Sequence, residues 1–97
     1  MSEINDPKDV YIQRRTKGRY LELAAMLKEK KHGNKQEYDR IVAKFCLQEG
    51  LTLAKAIKYA EAIEIGGLIK WTEHHGKKKL RWKYNEKQEW DFFKISL

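Results

Sequence analysis

The side chains in this 97-residue sequence with the clearest chemical use are cations. Lys77, Lys78, Lys79, Arg81 and Lys83 place five positive charges within seven residues. A run of that kind neutralises closely spaced anions, above all the phosphates of a nucleic-acid backbone. Lysines also guard exposed sheet edges against association, but five in seven residues exceed that need. A second set, Arg14, Arg15, Lys17 and Arg19, reads either as a further clamp or minor-groove arm, or as a solvated helix face. Reaction chemistry finds little footing. His74 and His75 are adjacent and splay apart at a strand tip, and His32 and Cys46 have no metal-ligand spacing. Glu61 and Glu64 are a helix-surface pair, and neither a phosphate-cradling glycine loop nor a nucleophile motif is present. The expectation is a binding protein that is not an enzyme, with no cofactor, no metal and no small-molecule substrate.

The charge distribution points the same way. The formal net charge of +7 divides into −2 over residues 1–7, +6 over 8–35, −1 over 36–65, +5 over 66–84 and −1 over 85–97. Two basic blocks thus flank a nearly neutral middle, whereas a surface with no polyanionic partner usually intersperses its signs. A lysine-rich soluble surface is the plainer alternative. Apolar residues make up 41%, enough for one core and too many for global disorder. No apolar run approaches the roughly 20 residues of a membrane span, and the first residues lack an apolar signal segment. The single Cys46 cannot form an internal disulfide, so a cytoplasmic location is expected.

These cations must be positioned by folded elements, and the periodicity supplies them. Asp6-Pro7 is suited to open a helix, while Gln13 to Arg19 is polar and reads as a frayed arm. From Arg19, Tyr20, Leu23, Ala24 and Leu27 fall at helical spacing, Lys28, Lys30 and Lys31 suit a helix C-terminus, and Gly33 is the expected stop. Asn34 with Glu37 three residues on is a variant capping box for a second helix whose stripe is Tyr38, Ile41, Val42, Phe45 and Cys46, with Gly50 ending it. Thr52 caps a third, with Leu53, Ala56, Ile57, Ala60 and Ile63 expected inward, and Gly66-Gly67 ending it. The period then changes to two. Leu80, Trp82 and Tyr84 alternate with Lys79, Arg81 and Lys83, and Leu68 to Glu73 reads as the antiparallel partner strand. This alternation assigns Trp71, Trp82 and Tyr84 to the core rather than to base stacking. After Asn85 a short final helix is expected.

Three helices followed by a basic hairpin resemble a winged helix-turn-helix domain. Glu49-Gly50-Leu51-Thr52 looks like that family's turn, and Ile65-Gly66-Gly67-Leu68-Ile69 looks like its exit into the first wing strand. The resemblance covers residues 19–84, between a basic arm or helix start (1–18) and an aromatic tail (85–97). Two departures stand out: the second helix is longer than usual, and Ile57 falls one position late. The resemblance implies a mostly α fold with a small antiparallel hairpin and a third helix that enters the major groove. The residues support the same surface on their own. With the stripe above turned inward, Lys55, Lys58, Tyr59 and Ala62 face outward and Thr52 sits at the leading end. Arg, Asn and Gln, which read purines bidentately, are missing from that face.

The tail gathers Trp90, Phe92, Phe93, Ile95 and Leu97 into eight residues. Such an end is seldom left in water. It either covers the first helix or, with Trp90, Phe93 and Leu97 on one face, pairs two subunits. The leading expectation is therefore a DNA-binding regulator or accessory factor acting on double-stranded DNA as a homodimer. Thr52, Lys55, Lys58, Tyr59, Lys77, Lys78, Lys79, Arg81, Arg14 and Arg15 are its contacts. The rivals are a protein-interaction module on the same fold and a binder of structured RNA.

Overall fold

The computed structural model describes residues 7–74 and 77–89, with side chains for 15–72 and 81–89. The elements run α1 (Pro7–Lys30), β1 (His32–Asn34), α2 (Lys35–Glu49), α3 (Leu53–Ile65), β2 (Ile69–His74) and β3 (Lys77–Tyr84), and residues 86–89 add one helical turn. The chain is mostly helical with a small antiparallel sheet. Among the described residues no helix is long and apolar enough to cross a membrane.

Pro7 opens α1, as its fixed φ favours, and the helix continues unbroken through residues 13–19. That polar stretch is therefore helix rather than a frayed arm. The end of α1 also differs from expectation. Lys31, not Gly33, takes the left-handed conformation (φ 76°) and donates its N–H to the Leu27 carbonyl at 2.9 Å. Gly33 is instead buried in β1 opposite Trp82. A Cβ there would lie 2.7 Å from Glu37 Oε1 and 3.1 Å from Trp82 Nε1, so the glycine serves close approach rather than a turn.

β1 adds a strand to the expected hairpin. It pairs antiparallel with β3 through His32↔Lys83, Gly33↔Trp82 and Asn34↔Arg81, which makes β3 the middle strand in the order β1-β3-β2. Three residues have little strand tendency alone, but the free edge of β3 supplies the hydrogen-bond partners. Tyr84 extends the ladder by donating its N–H to the Lys31 carbonyl at 2.8 Å.

Local chemistry then sets both helix boundaries that lead to α3. Asn34 Oδ1 accepts from the Glu37 N–H at 2.8 Å, and Glu37 Oε1 accepts from the Asn34 N–H at 2.9 Å, which closes a capping box on α2. Gly50 (φ 66°) ends α2 in the left-handed conformation, and Leu51 donates its N–H to the Cys46 carbonyl at 3.0 Å. Thr52 Oγ1 accepts from the Lys55 N–H at 3.2 Å and caps α3.

One core joins all layers: Leu23, Ala24 and Leu27 of α1, Tyr38, Val42, Phe45 and Cys46 of α2, four residues of α3, and Leu68, Ile69, Trp82 and Tyr84. Tyr38 packs edge-on against Trp71 and Trp82 at 4.9 and 5.6 Å between centroids, so these aromatics belong to the interior side of the sheet. The α3 stripe needs correction. Its buried residues are Ala56, Tyr59, Ala60 and Ile63, whereas Leu53 and Ile57 remain 58% and 43% exposed. Tyr59 is thus not an outward contact residue. Its ring meets Tyr20 at 4.7 Å and Phe45 at 5.7 Å, filling the space between α1 and α2. An aromatic ring carries more apolar area than either aliphatic side chain, so the helix turns to bury it.

Candidate nucleic-acid interface

The cap leaves Thr52 exposed at the head of α3, its oxygen accepting from Lys55 N–H and its own hydroxyl hydrogen available to a ligand. Lys55 and Lys58 are exposed, with exposed Ala54 and Ile57 beside them. The charges of α3 are segregated: both lysines lie in its first half, and Glu61 and Glu64 in its second. The positive end of the helix dipole adds to the cationic half. Glu64 is occupied within the protein, accepting from the Tyr38 hydroxyl at 3.0 Å. Burial, reinforced by the Glu64 carboxylate, pushes the Tyr38 phenol far above its ordinary range, so it stays a proton donor.

The sheet supplies a second surface. Trp82 and Tyr84 turn inward from β3, so Arg81 and Lys83 turn outward, and both are exposed. Register places Lys83 between His32 of β1 and Lys70 of β2, and Arg81 between Asn34 and Thr72. All six are exposed. Lys70 and Lys83 are thus like charges directly opposite each other across strands, which concentrates positive charge on this exposed face. The pairing of His32 and Asn34 with this surface was not legible, because β1 itself was not. Lys70 was legible: it alternates with Ile69 and Trp71 in the same period-two pattern as Lys83. Lys77, Lys78 and Lys79 lie on the β3 backbone leading from the hairpin tip, and their side chains fall outside the described ones.

Ion pairs engage four of the cations outside these two surfaces and, among the described residues, leave Arg15, Lys17, Lys31, Arg40, Lys44 and Lys87 without one. Arg19 approaches Glu49 at 3.8 Å, Lys28 meets Glu89 at 3.1 Å, Lys30 meets Glu37 at 3.0 Å and Lys35 meets Asp39 at 2.7 Å. All four basic partners lie on α1 or α2. Among the described residues, Lys55, Lys58, Lys70, Arg81 and Lys83 have no ion-pair partner. Glu37 feels this surplus: the Asn34 N–H first, then Lys30, with Arg81 at longer range, hold its carboxyl below the ordinary range.

The remaining expected residues are less engaged. Residues 14–19 are helical, so they form no extended arm; Arg15 is exposed on α1, and the Arg14 side chain is outside the described ones. Trp90, Phe93 and Leu97 lie outside the described residues, as does most of the hairpin tip. Cys46 is buried and donates to the Leu51 carbonyl at 3.0 Å, a structural role at the α2–α3 turn. Among the described residues no group of three or more His, Cys, Asp or Glu is placed to hold a metal. Comparison with family models, with curated proteins and with solved structures returned no match to this chain.

Proposed function

We propose that this protein binds double-stranded DNA as a winged helix-turn-helix domain, with the first half of α3 in the major groove and the β2–β3 hairpin on the flanking backbone. The observation that carries the reading is the distribution of unpaired cations. Four cations of α1 and α2 meet carboxylates and Arg15, Lys17, Arg40 and Lys44 do not, while among the described residues none of the cations of α3, β2 and β3 does. Lys70 opposite Lys83 concentrates positive charge on the same face of the sheet.

Duplex DNA suits this surface better than duplex RNA. A B-form major groove about 12 Å wide admits an α-helix, whereas the A-form groove is too narrow and deep. Lys77, Lys78 and Lys79 would continue the phosphate track along the hairpin, and Thr52 would donate to a phosphate at the helix head. The protein acts, on this reading, as a small transcriptional regulator or accessory factor. Pairing through Trp90, Phe93 and Leu97 would present two such surfaces to one duplex.

The test is fluorescence anisotropy on mixed-sequence duplex DNA across a salt series. Each lost phosphate contact lowers the slope of log affinity against log salt by about 0.9. Replacing Lys70 and Lys83 together by Ala is expected to flatten it by about 2, and so is replacing Lys55 and Lys58. Absence of salt-dependent binding would overturn the proposal in favour of a protein partner, and equal or tighter binding to duplex RNA would redirect it to RNA.

A further inference from the structure

The groove between α2 and α3 lies on the opposite flank of α3 from Lys55 and is lined by apolar side chains and carboxylates, which suit a cationic occupant. We infer that it takes the basic first half of α1 from a second copy of this chain, so that two copies associate by exchanging these helix ends. This contact is separate from the DNA surface proposed above.

The groove has a volume of about 510 Å³ and a graded lining. Beside the α2–α3 turn its walls are Leu53 and Ile57, 58% and 43% exposed, together with Val42 and Ala43 of α2. Further from the turn come Asp39, Glu61 and Glu64. Three carboxylates against one lysine, Lys35, leave the lining at −2. Lys35 is paired with Asp39 and Glu64 accepts from the Tyr38 hydroxyl, whereas exposed Glu61 has no ion-pair partner among the described residues. An apolar floor that ends in carboxylates fits a short helix that changes from apolar to basic along its length. The first half of α1 has that order, with Val10, Tyr11 and Ile12 preceding Arg14, Arg15 and Lys17. Val10 stands one turn before Arg14 and Ile57 one turn before Glu61, a step of about 6 Å in each case. Within one copy, the described α1 side chains that the core buries are Leu23, Ala24 and Leu27, all in the second half. Arg15 and Lys17 have no ion-pair partner among the described residues. The helix cannot turn back into its own groove, because it runs unbroken from Pro7 and is anchored where Arg19 approaches Glu49 and Tyr20 meets Tyr59. A second copy offers the same groove, and a twofold exchange uses both grooves and both helix ends.

Sedimentation equilibrium of the full chain, without nucleic acid, should show dimers forming at micromolar concentration. Glu61→Arg reverses the carboxylate of the groove, and Arg14→Glu with Arg15→Glu reverses the helix that enters it. An exposed ion pair is worth about threefold in affinity and occurs twice in a twofold dimer, so either variant should raise the dissociation constant on the order of tenfold. Because Glu61 is exposed, Glu61→Arg should melt close to the unaltered protein. An equal mixture of the two variants should regain the dimer, since one of its contacts is then unaltered and the other has both charges exchanged. A chain that stays monomeric at high micromolar concentration would overturn the contact. So would a dimer that neither variant weakens, which the tail would then account for, or a mixture no more associated than its components. Salt-dependent DNA binding is measured separately, and none of these outcomes decides it.

Discussion

The orientation of α3 decides which residues meet a partner, and it can be tested by stability alone. Tyr59→Ala removes a ring that is 6% exposed and wedged edge-on between Tyr20 and Phe45. Truncation of a buried aromatic costs about 3–5 kcal/mol, because the transfer energy is lost and a cavity remains. Ile57→Ala removes a side chain that is 43% exposed. Full burial of an isoleucine contributes roughly 1.5–3 kcal/mol, so its partial burial against α2 predicts a loss of about 1 kcal/mol. For a domain of this length each kcal/mol lowers Tm by about 4–8 °C. Ile57→Ala should therefore melt within about 8 °C of the unaltered protein, while Tyr59→Ala should lose 12 °C or more, or fail to fold cooperatively. Urea titration followed by tryptophan fluorescence, with thermal melts by circular dichroism, reads both. A larger loss from Ile57→Ala than from Tyr59→Ala would refute the orientation.

Gly33→Ala should cost about 1–3 kcal/mol, since the new Cβ meets Glu37 Oε1 at 2.7 Å and Trp82 Nε1 at 3.1 Å; a neutral urea midpoint would show that β1 does not need the close approach. Glu37 titrates below its ordinary value of 4.5 in the folded protein, so its contribution is fully present above that value and is lost as pH falls through the depressed folded pKa. Glu37→Gln, which keeps the capping acceptor, should therefore flatten the acid limb of a stability-against-pH curve, and an unchanged limb would dismiss the Asn34 and Lys30 interactions as contributors. For the tail, sedimentation should show a dimer at micromolar concentration that Trp90→Ser with Phe93→Ser weakens; a monomeric unaltered protein would remove the dimer from the proposal.

The sequence by itself determined the features that depend on a few neighbouring residues. Asn34 and Glu37 cap α2, Gly50 ends it in the left-handed conformation, and Thr52 caps α3, because each device closes over three or four positions. The alternation at Trp82 and Tyr84 likewise fixed which side of β3 is buried, and so which way Arg81 and Lys83 point. Tertiary structure decided three other things. β1 exists because β3 offers a free edge, and three residues carry no periodic signal of their own. The stop of α1 fell on Lys31 because Gly33 was required against Trp82, a residue 49 positions further along. The rotation of α3 was hidden by an apolar residue on nearly every side of that helix, including Leu53, Ala54, Ala56, Ile57, Tyr59, Ala60, Ala62, Ile63 and Ile65. Lys55, Lys58, Glu61 and Glu64 mark one half of the helix as polar, but Leu53 and Ile57 at the border of the other half compete with Tyr59 for the interior. The space between Tyr20 and Phe45 made the choice, and it exists only once α1 and α2 have packed.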